Sequence, residues 1–79
     1  MKIYDYNGKK NISGERIKNA RKALNLSQEN LAAKLQVEGV NIERDSVSRI
    51  EIGTRFVADY ELLALCRILH VTPEYLLGL

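Results

Sequence analysis

Cysteine is almost absent from this sequence, which has one, Cys66, among 79 residues. A single thiol cannot form a disulfide within the chain, and no cysteine–histidine cluster has the spacing of a metal site. Stability must then come from the packing of apolar side chains, in a reducing compartment, most simply the cytoplasm. We expect no metal and no other cofactor.

Long hydrophobic runs are also missing. The longest unbroken apolar stretch is Leu62–Cys66, far shorter than the about 18 residues that span a membrane. The first six residues alternate charged, apolar and tyrosine side chains and lack the apolar centre of a signal peptide. We therefore expect neither membrane insertion nor export.

Apolar residues suffice for one folded domain. Leu, Ile, Val and Phe together supply 24 of the 79 residues, about 30%, which exceeds the roughly 20% below which disorder is expected. The net charge is only +2, but residues 1–25 carry +5, residues 26–55 carry −1 and residues 56–79 carry −2. The basic N-terminal end is either a candidate nucleic-acid surface or an ordinary solvated face.

The chain divides into an N-terminal arm, residues 1–12, and a domain, residues 13–79. The arm has a β-prone stretch followed by Asn7-Gly8, a strong turn signal, and we expect it to be loosely ordered or to lie against the body. In the domain, apolar residues recur at helical spacing and no segment pairs convincingly as a hairpin. The predicted fold class is all-α, with five short helices.

Capping residues place the five helices. The first is expected to begin at the N-cap Ser13 and to end at Asn25, and the second begins after Ser27. The third begins at Asn41 or Glu43 and ends at Gly53. The fourth, about 59–69, is the most apolar and is predicted to be the central buried helix. Thr72 and Pro73 open the fifth.

Three blocks carry a family resemblance, and they run SQENLA from Ser27, VSRIEIG from Val47 and LHVTPEYLLG from Leu69. In this order and near this spacing they resemble the Cro/Xre-type helix-turn-helix domain of phage repressors and bacterial regulators. The resemblance covers about residues 14–78. It implies a compact five-helix, lambda-repressor-like bundle in which helices two and three form the helix-turn-helix.

The sequence departs from the family pattern in two places. Ala32 and Val47 lie fifteen positions apart, more than the family has, so we expect a turn longer than the usual three to four residues. A longer loop costs little free energy, so the fold should persist. Ala58 stands where the fourth helix usually has a Ser or Thr cap, and Glu61 alone can supply the other half of the capping box.

The outward face of helix three is the face that the family presents to the major groove. With Val47 and Ile50 inward, the residues that point outward are Arg44, Asp45, Ser48, Arg49 and Ile52. Arginine can bind guanine O6 and N7, a carboxylate can accept from cytosine N4, and Ile52 can touch a thymine methyl. The resemblance implies base-edge contacts within a recognition helix of about residues 42–52. The alternative is an ion pair between Asp45 and Arg49 on a solvated face.

Phosphate contacts are predicted at both sides of this helix. The N-terminus of helix two offers free N–H groups at Ser27 and Gln28, and the resemblance implies a phosphate contact by Gln28 there. Thr54 and Arg55 follow helix three and suit the same role. Lys9 and Lys10 are further candidates.

Two charged residues indicate a scaffold role. Arg21 and Glu51 fall partly inward, and the resemblance implies an ion pair that holds helix three against helix one.

His70, the only histidine, is expected at a helix C-terminus, and Cys66 is spaced as a core residue. No nucleophile–base pair, phosphate loop or metal cluster is visible, so we expect no enzyme activity and no small-molecule ligand.

The resulting prediction is a sequence-specific double-stranded DNA-binding regulator of transcription, a repressor. The alternative is a protein-binding module of antitoxin or adaptor type with the same fold. Because family repressors read palindromic operators as dimers, we also expect a homodimer. The expected interface residues, on the last helix and beyond it, are Tyr75, Leu77 and Leu79.

Overall fold

The structure, a computed structural model, describes residues 5–79. This part of the chain forms five α-helices and no strand beyond a single antiparallel bridge between Tyr6 and Lys9, which confirms the all-α prediction. In chain order the helices are α1 (Gly14–Ala23), α2 (Gln28–Val37), α3 (Arg44–Ile52), α4 (Asp59–Leu69) and α5 (Pro73–Leu77). Residues 1–4, which include most of the β-prone stretch, lie outside the described residues.

Capping chemistry fixes most helix ends where the sequence predicted them. The Ser27 hydroxyl accepts from the Asn30 N–H and the Asn30 side chain accepts from the Ser27 N–H, which closes a reciprocal cap on α2. The Thr72 hydroxyl accepts from the Tyr75 N–H at the start of α5. Asn25, with φ 58°, turns the chain out of its helical path after α1.

The start of α1 corrects the prediction for Ser13. The Ser13 hydroxyl makes no capping bond, and the cap comes from Asn11. The Oδ1 atom of Asn11 accepts from the N–H groups of Ser13 and Gly14, at 3.1 and 2.7 Å. An asparagine side chain reaches N–H groups two and three residues further on, so it can cap a helix from ahead of its N-cap.

The core is built from all five helices. α4 contributes Ala64, Leu65, Cys66 and Leu69 to it, in agreement with its apolar sequence, although Leu63 is half exposed. Glu61 half-caps α4 by accepting from the Ala58 N–H at 2.9 Å. The largest fully buried side chains are Ile17, Leu31, Leu35, Ile42, Val47, Ile50, Leu65 and Leu76.

The turn between α2 and α3 spans residues 38–43, which agrees with the predicted lengthening. Two of its residues, Val40 and Ile42, are buried in the core. The Val40 N–H donates to the Leu35 carbonyl at 2.9 Å, and the Gln36 side chain donates to the Ile42 carbonyl at 2.9 Å. Ile42 therefore anchors the turn, and α3 begins at Arg44 after its N-cap Glu43, the second of the two predicted starts. Across residues 5–79, no helix is both long and apolar enough to cross a membrane.

Candidate nucleic-acid interface

The outward face of α3 is polar and mostly exposed. Val47 and Ile50 are each 1% exposed and fix the helix orientation, because α3 packs mainly against α2 and α1. Arg44, Asp45, Arg49 and Ile52 are exposed, and Ser48 is half-buried. The structure thus brings the predicted base-edge residues together on one surface.

The charged groups on this face are only loosely held. Arg44 Nη1 lies 3.3 Å from Asp45 Oδ1, and the two side chains are 62% and 73% exposed. An exposed pair of this kind contributes about 0–1 kcal/mol. Asp45 therefore pairs with its neighbour rather than with Arg49, and among the described residues no ion pair involves Arg49.

The end of α3 is fixed by a buried charge network. Arg21 donates to both carboxylate oxygens of Glu51, from Nε at 2.6 Å and from Nη2 at 3.0 Å. Arg21 Nη1 also donates to the Leu26 carbonyl at 2.7 Å, in the turn between α1 and α2. This bidentate pair, expected from the sequence, joins α1, that turn and α3. Its geometry gives hydrogen-bond partners to most of the polar atoms of the Arg21 and Glu51 side chains.

Gln28 joins the same network. Its Nε2 atom donates to Glu51 Oε1 at 3.0 Å, and the residue is half-buried. Ser27, beside it, is exposed and uses its hydroxyl to cap α2. The Glu51 carboxylate therefore positions the N-terminus of α2, the predicted phosphate site, relative to the helix that carries the predicted base contacts. Sequence spacing did not reveal this link.

The loop after α3 places its two predicted phosphate residues differently. Gly53, with φ 88°, ends the helix in the left-handed conformation that favours glycine, and Thr54 follows it at an exposed position. Arg55 is half-buried and forms a bidentate pair with Glu61 at 3.0 and 3.2 Å. The positive charge of Arg55 is therefore largely compensated within the fold. The phosphate role of both residues stays a prediction.

Asn11 is the residue that sequence reasoning missed. While its Oδ1 caps α1, its Nδ2 donates to the carbonyls of Ile50 and Arg55, at 3.0 and 2.8 Å. One side chain thus joins the N-terminus of α1 to the C-terminal end of α3. An asparagine just before a helix start was the only available signal, and it identifies a cap but not a distant partner.

Gly14 permits this contact between helices. A Cβ atom there would overlap the backbone carbonyl oxygen of Ile50 and press on that of Glu51. Only glycine therefore allows α1 to approach α3 this closely.

The last helix leaves apolar groups uncovered. Leu76 is fully buried, Leu77 is half-buried, and Tyr75 and Leu79 are 42% and 90% exposed. The structure describes one chain, so the predicted dimer interface stays a prediction.

The cysteine and the histidine both belong to α4, Cys66 within the helix and His70 at its C-cap. Burial raises the pKa of the Cys66 thiol, and the nearby Glu74 carboxylate raises it further. The reactive thiolate is therefore disfavoured, as expected of a core cysteine. His70 ends α4 with φ 58°, the predicted position. Residues 5–79 hold no cluster of metal-ligating side chains.

Comparison with known families agrees with this geometry. A family model described as a helix-turn-helix domain matches residues 14–76. Because the match spans most of the chain, the protein belongs to the helix-turn-helix domain family, a class of DNA-binding domains. No curated protein and no solved structure gave a significant match.

Proposed function

We propose that this protein is a sequence-specific double-stranded DNA-binding regulator of transcription that reads its site with α3. The observation that carries the proposal is the contrast between the buried inward side and the exposed outward side of that helix. Its inward side is fixed by Val47, Ile50 and the buried Glu51, and its outward side presents exposed groups. An anchored helix with an uncommitted polar face suits a major groove about 12 Å wide. Bound at a promoter, such a domain would exclude polymerase and act as a repressor.

Base contacts fall to the outward face. Arg49, exposed and without an ion pair among the described residues, is the main candidate for a bidentate contact to guanine O6 and N7. Arg44 can do the same once it leaves Asp45, whose carboxylate can then accept from cytosine N4. Ser48 adds a hydroxyl, and Ile52, 60% exposed, can meet a thymine methyl.

Phosphate contacts would position the protein on the duplex. Ser27 and Gln28 stand at the N-terminus of α2, where the helix dipole and free N–H groups favour an anion. Gln28 is held there by Glu51, and the second N–H of its side-chain amide or its backbone N–H can donate to a phosphate oxygen. Thr54, exposed directly beyond α3, is the second candidate, and Arg55 is a third through the donors that Glu61 leaves unused.

A homodimer is part of the proposal. One domain reaches about one half-site, whereas two related by a two-fold axis place their recognition helices one DNA turn apart, about 34 Å, on a palindromic operator. Tyr75 and Leu79 are exposed and Leu77 half-exposed. Tyrosine and uncovered aliphatic groups are typical of interface cores.

Selection of bound sequences from random duplex DNA tests the function directly. We expect one enriched motif with two-fold symmetry, and an affinity that falls steeply with salt because bound phosphates release counterions. Weak binding without an enriched motif and with little salt dependence would instead favour the adaptor-type module.

Sedimentation of the free and DNA-bound protein tests the dimer. We expect two protomers per selected duplex, and Leu79→Glu should reduce the affinity for the palindrome without changing thermal stability, because Leu79 does not contribute to the core. One protomer per duplex at saturation, unchanged by this substitution, would contradict the homodimer.

A further inference from the structure

The N-terminal segment is folded into a small hairpin. Tyr6 and Lys9 exchange backbone hydrogen bonds of 2.7 and 3.0 Å. Between them Asn7 and Gly8 have φ values of 52° and 81°, and two successive left-handed residues form the tight turn that matches strand twist. We name residues 5–11 the N-terminal hairpin. It precedes the part of the chain that the family model matches.

This hairpin is attached to the C-terminal end of α3. The Lys10 N–H donates to the Gly53 carbonyl at 2.8 Å, and the Asn11 amide binds the carbonyls of Ile50 and Arg55. The aliphatic part of Lys9 crosses Gly53 so closely that a Cβ there would overlap it. The hairpin therefore keeps a fixed place beside the helix that carries the reading face.

The hairpin supplies the available positive charge at this place. Arg55 is compensated by Glu61, and Lys10 holds its ammonium 5.3 Å from the centre of the Phe56 ring. Lys9 is exposed, and within residues 5–79 it has no ion-pair partner. Beside Gly53, the ammonium of Lys9 is therefore a cation that can contact a ligand without breaking an ion pair.

If α3 lies across the major groove, its length would bring this end close to a DNA strand. Nine residues make a helix about 13 Å long, comparable with the roughly 12 Å width of the major groove. When the first turns of α3 meet base edges, its last turn and Gly53 approach the sugar–phosphate backbone that borders the groove.

We propose that the N-terminal hairpin is a DNA-backbone clamp in which Lys9 contacts a phosphate beside the C-terminal end of α3. The inference rests on the proposed DNA-binding function and deepens it. It selects Lys9 from the further candidates that the sequence offered and makes it, instead of Arg55, the phosphate contact at this end of α3. A phosphate contact positions the protein without reading sequence, so Lys9 adds affinity and leaves base preference unchanged.

The test measures the salt dependence of binding to the selected duplex and to a random one. Lys9→Gln keeps a similar stem against Gly53 and removes the charge, Lys9→Arg restores the charge, and Lys34→Gln is the matched control. Lys34 is exposed near the C-terminal end of α2 and lines a surface groove with Arg67 and His70. Lys34→Gln therefore removes one positive charge at a place remote from the hairpin. Thermal melting of each variant checks that the fold is intact.

We expect Lys9→Gln to make the slope of log affinity against log salt less steep by about 0.9 for each protomer bound. That corresponds to roughly eightfold weaker binding per protomer at 0.1 M salt, equally on both duplexes. Lys9→Arg and Lys34→Gln should retain the wild-type slope. A wild-type slope for Lys9→Gln, or a loss on the selected duplex alone, would overturn the clamp while leaving the DNA-binding function intact. A wild-type protein that binds neither duplex would overturn both.

Discussion

The two ends of α3 are built differently. Its first six residues, Arg44 to Arg49, meet solvent on one face and carry one exposed ion pair of 3.3 Å. Its last residues and the following loop are bound by Arg21, Gln28, Asn11 and Lys10 through hydrogen bonds of 2.6–3.0 Å. The helix is therefore fixed at its C-terminal end, and toward its N-terminal end it presents exposed side chains that are not held by the rest of the fold.

This difference separates placement from recognition. A base contact requires a side chain to reach its partner to within a few tenths of an ångström, so the helix that carries it must be held by other residues. At the same time, the side chains that read bases must not be consumed by partners inside the fold. Substitutions at the two ends should therefore separate stability from binding.

Breaking the Arg21–Glu51 ion pair is expected to cause the largest loss of stability. Glu51→Ala leaves the Arg21 guanidinium, with a side chain 9% exposed, without its carboxylate, and removing one partner of a buried pair costs about 3–5 kcal/mol of unfolding free energy. Urea denaturation measures the loss. Glu15→Ala, at an exposed position of α1, is the control and should change stability by less than about 0.5 kcal/mol.

The double variant sharpens this prediction. Arg21→Ala with Glu51→Ala should lose less stability than the sum of the single variants, because no buried charge is left unpaired. Strict additivity in the same denaturation series would show that the two residues do not interact.

Asn11→Ala is expected to have the next largest effect. It removes a helix cap and two bonds to carbonyls of another segment, together about 2–3 kcal/mol of unfolding free energy. The matched control is Asn19→Ala, an exposed asparagine on α1, which should be neutral or slightly stabilising because alanine favours a helix interior. Equal melting temperatures of the two variants would contradict the joining role of Asn11.

Arg49→Ala, in contrast, should weaken DNA binding and leave the stability of the fold unchanged. We expect a loss of about 1–3 kcal/mol in binding free energy on the preferred site and relaxed preference at one base pair, with unfolding free energy unchanged within about 0.5 kcal/mol. Arg67→Ala, an exposed arginine on α4, is the control. Titration of selected and single-mismatch duplexes measures the change, and an equal loss on random DNA would place Arg49 on phosphate instead of on a base.

A small effect on stability is also expected for Asp45→Ala. Breaking an exposed pair with Arg44 should change unfolding free energy by less than about 1 kcal/mol. Its effect on DNA should be a changed base preference, since the carboxylate no longer selects cytosine, and stronger binding to random DNA, since one negative charge is lost. A repeated sequence selection with this variant tests both, and an unchanged motif would remove Asp45 from the base-reading set.

Local patterns predicted the helices well for an identifiable reason. Caps such as Ser27 with Asn30, or Thr72 before Pro73, act within three residues, and the apolar period of each helix shows its buried side directly. The outward face of α3 followed from the same periodicity. Arg21 and Glu51 were paired through the family resemblance, because thirty positions separate them and no local pattern joins them.

The errors and omissions lie where distant segments meet. Ser13 appeared to be the cap of α1 until Asn11 was seen to reach both α1 and α3. Arg55 appeared to be a free cation until Glu61, six residues further on, was seen to bind it. The sequence left the start of α3 open between Asn41 and Glu43, and the structure selects Glu43 as the N-cap, with Ile42 buried in the core just before it.

The sequence by itself determined an all-helical domain with a polar face on its third helix, because periodicity and capping depend on neighbours a few residues apart. Only the tertiary structure decided which polar groups remain available. A charged or amide side chain satisfies whichever partner the fold brings within about 3 Å, and that partner can lie anywhere in the chain. For this reason the exposed Arg49 and Lys9 have no ion-pair partner among the described residues, whereas Arg21 and Asn11 hold α3 in place and Arg55 is paired with Glu61.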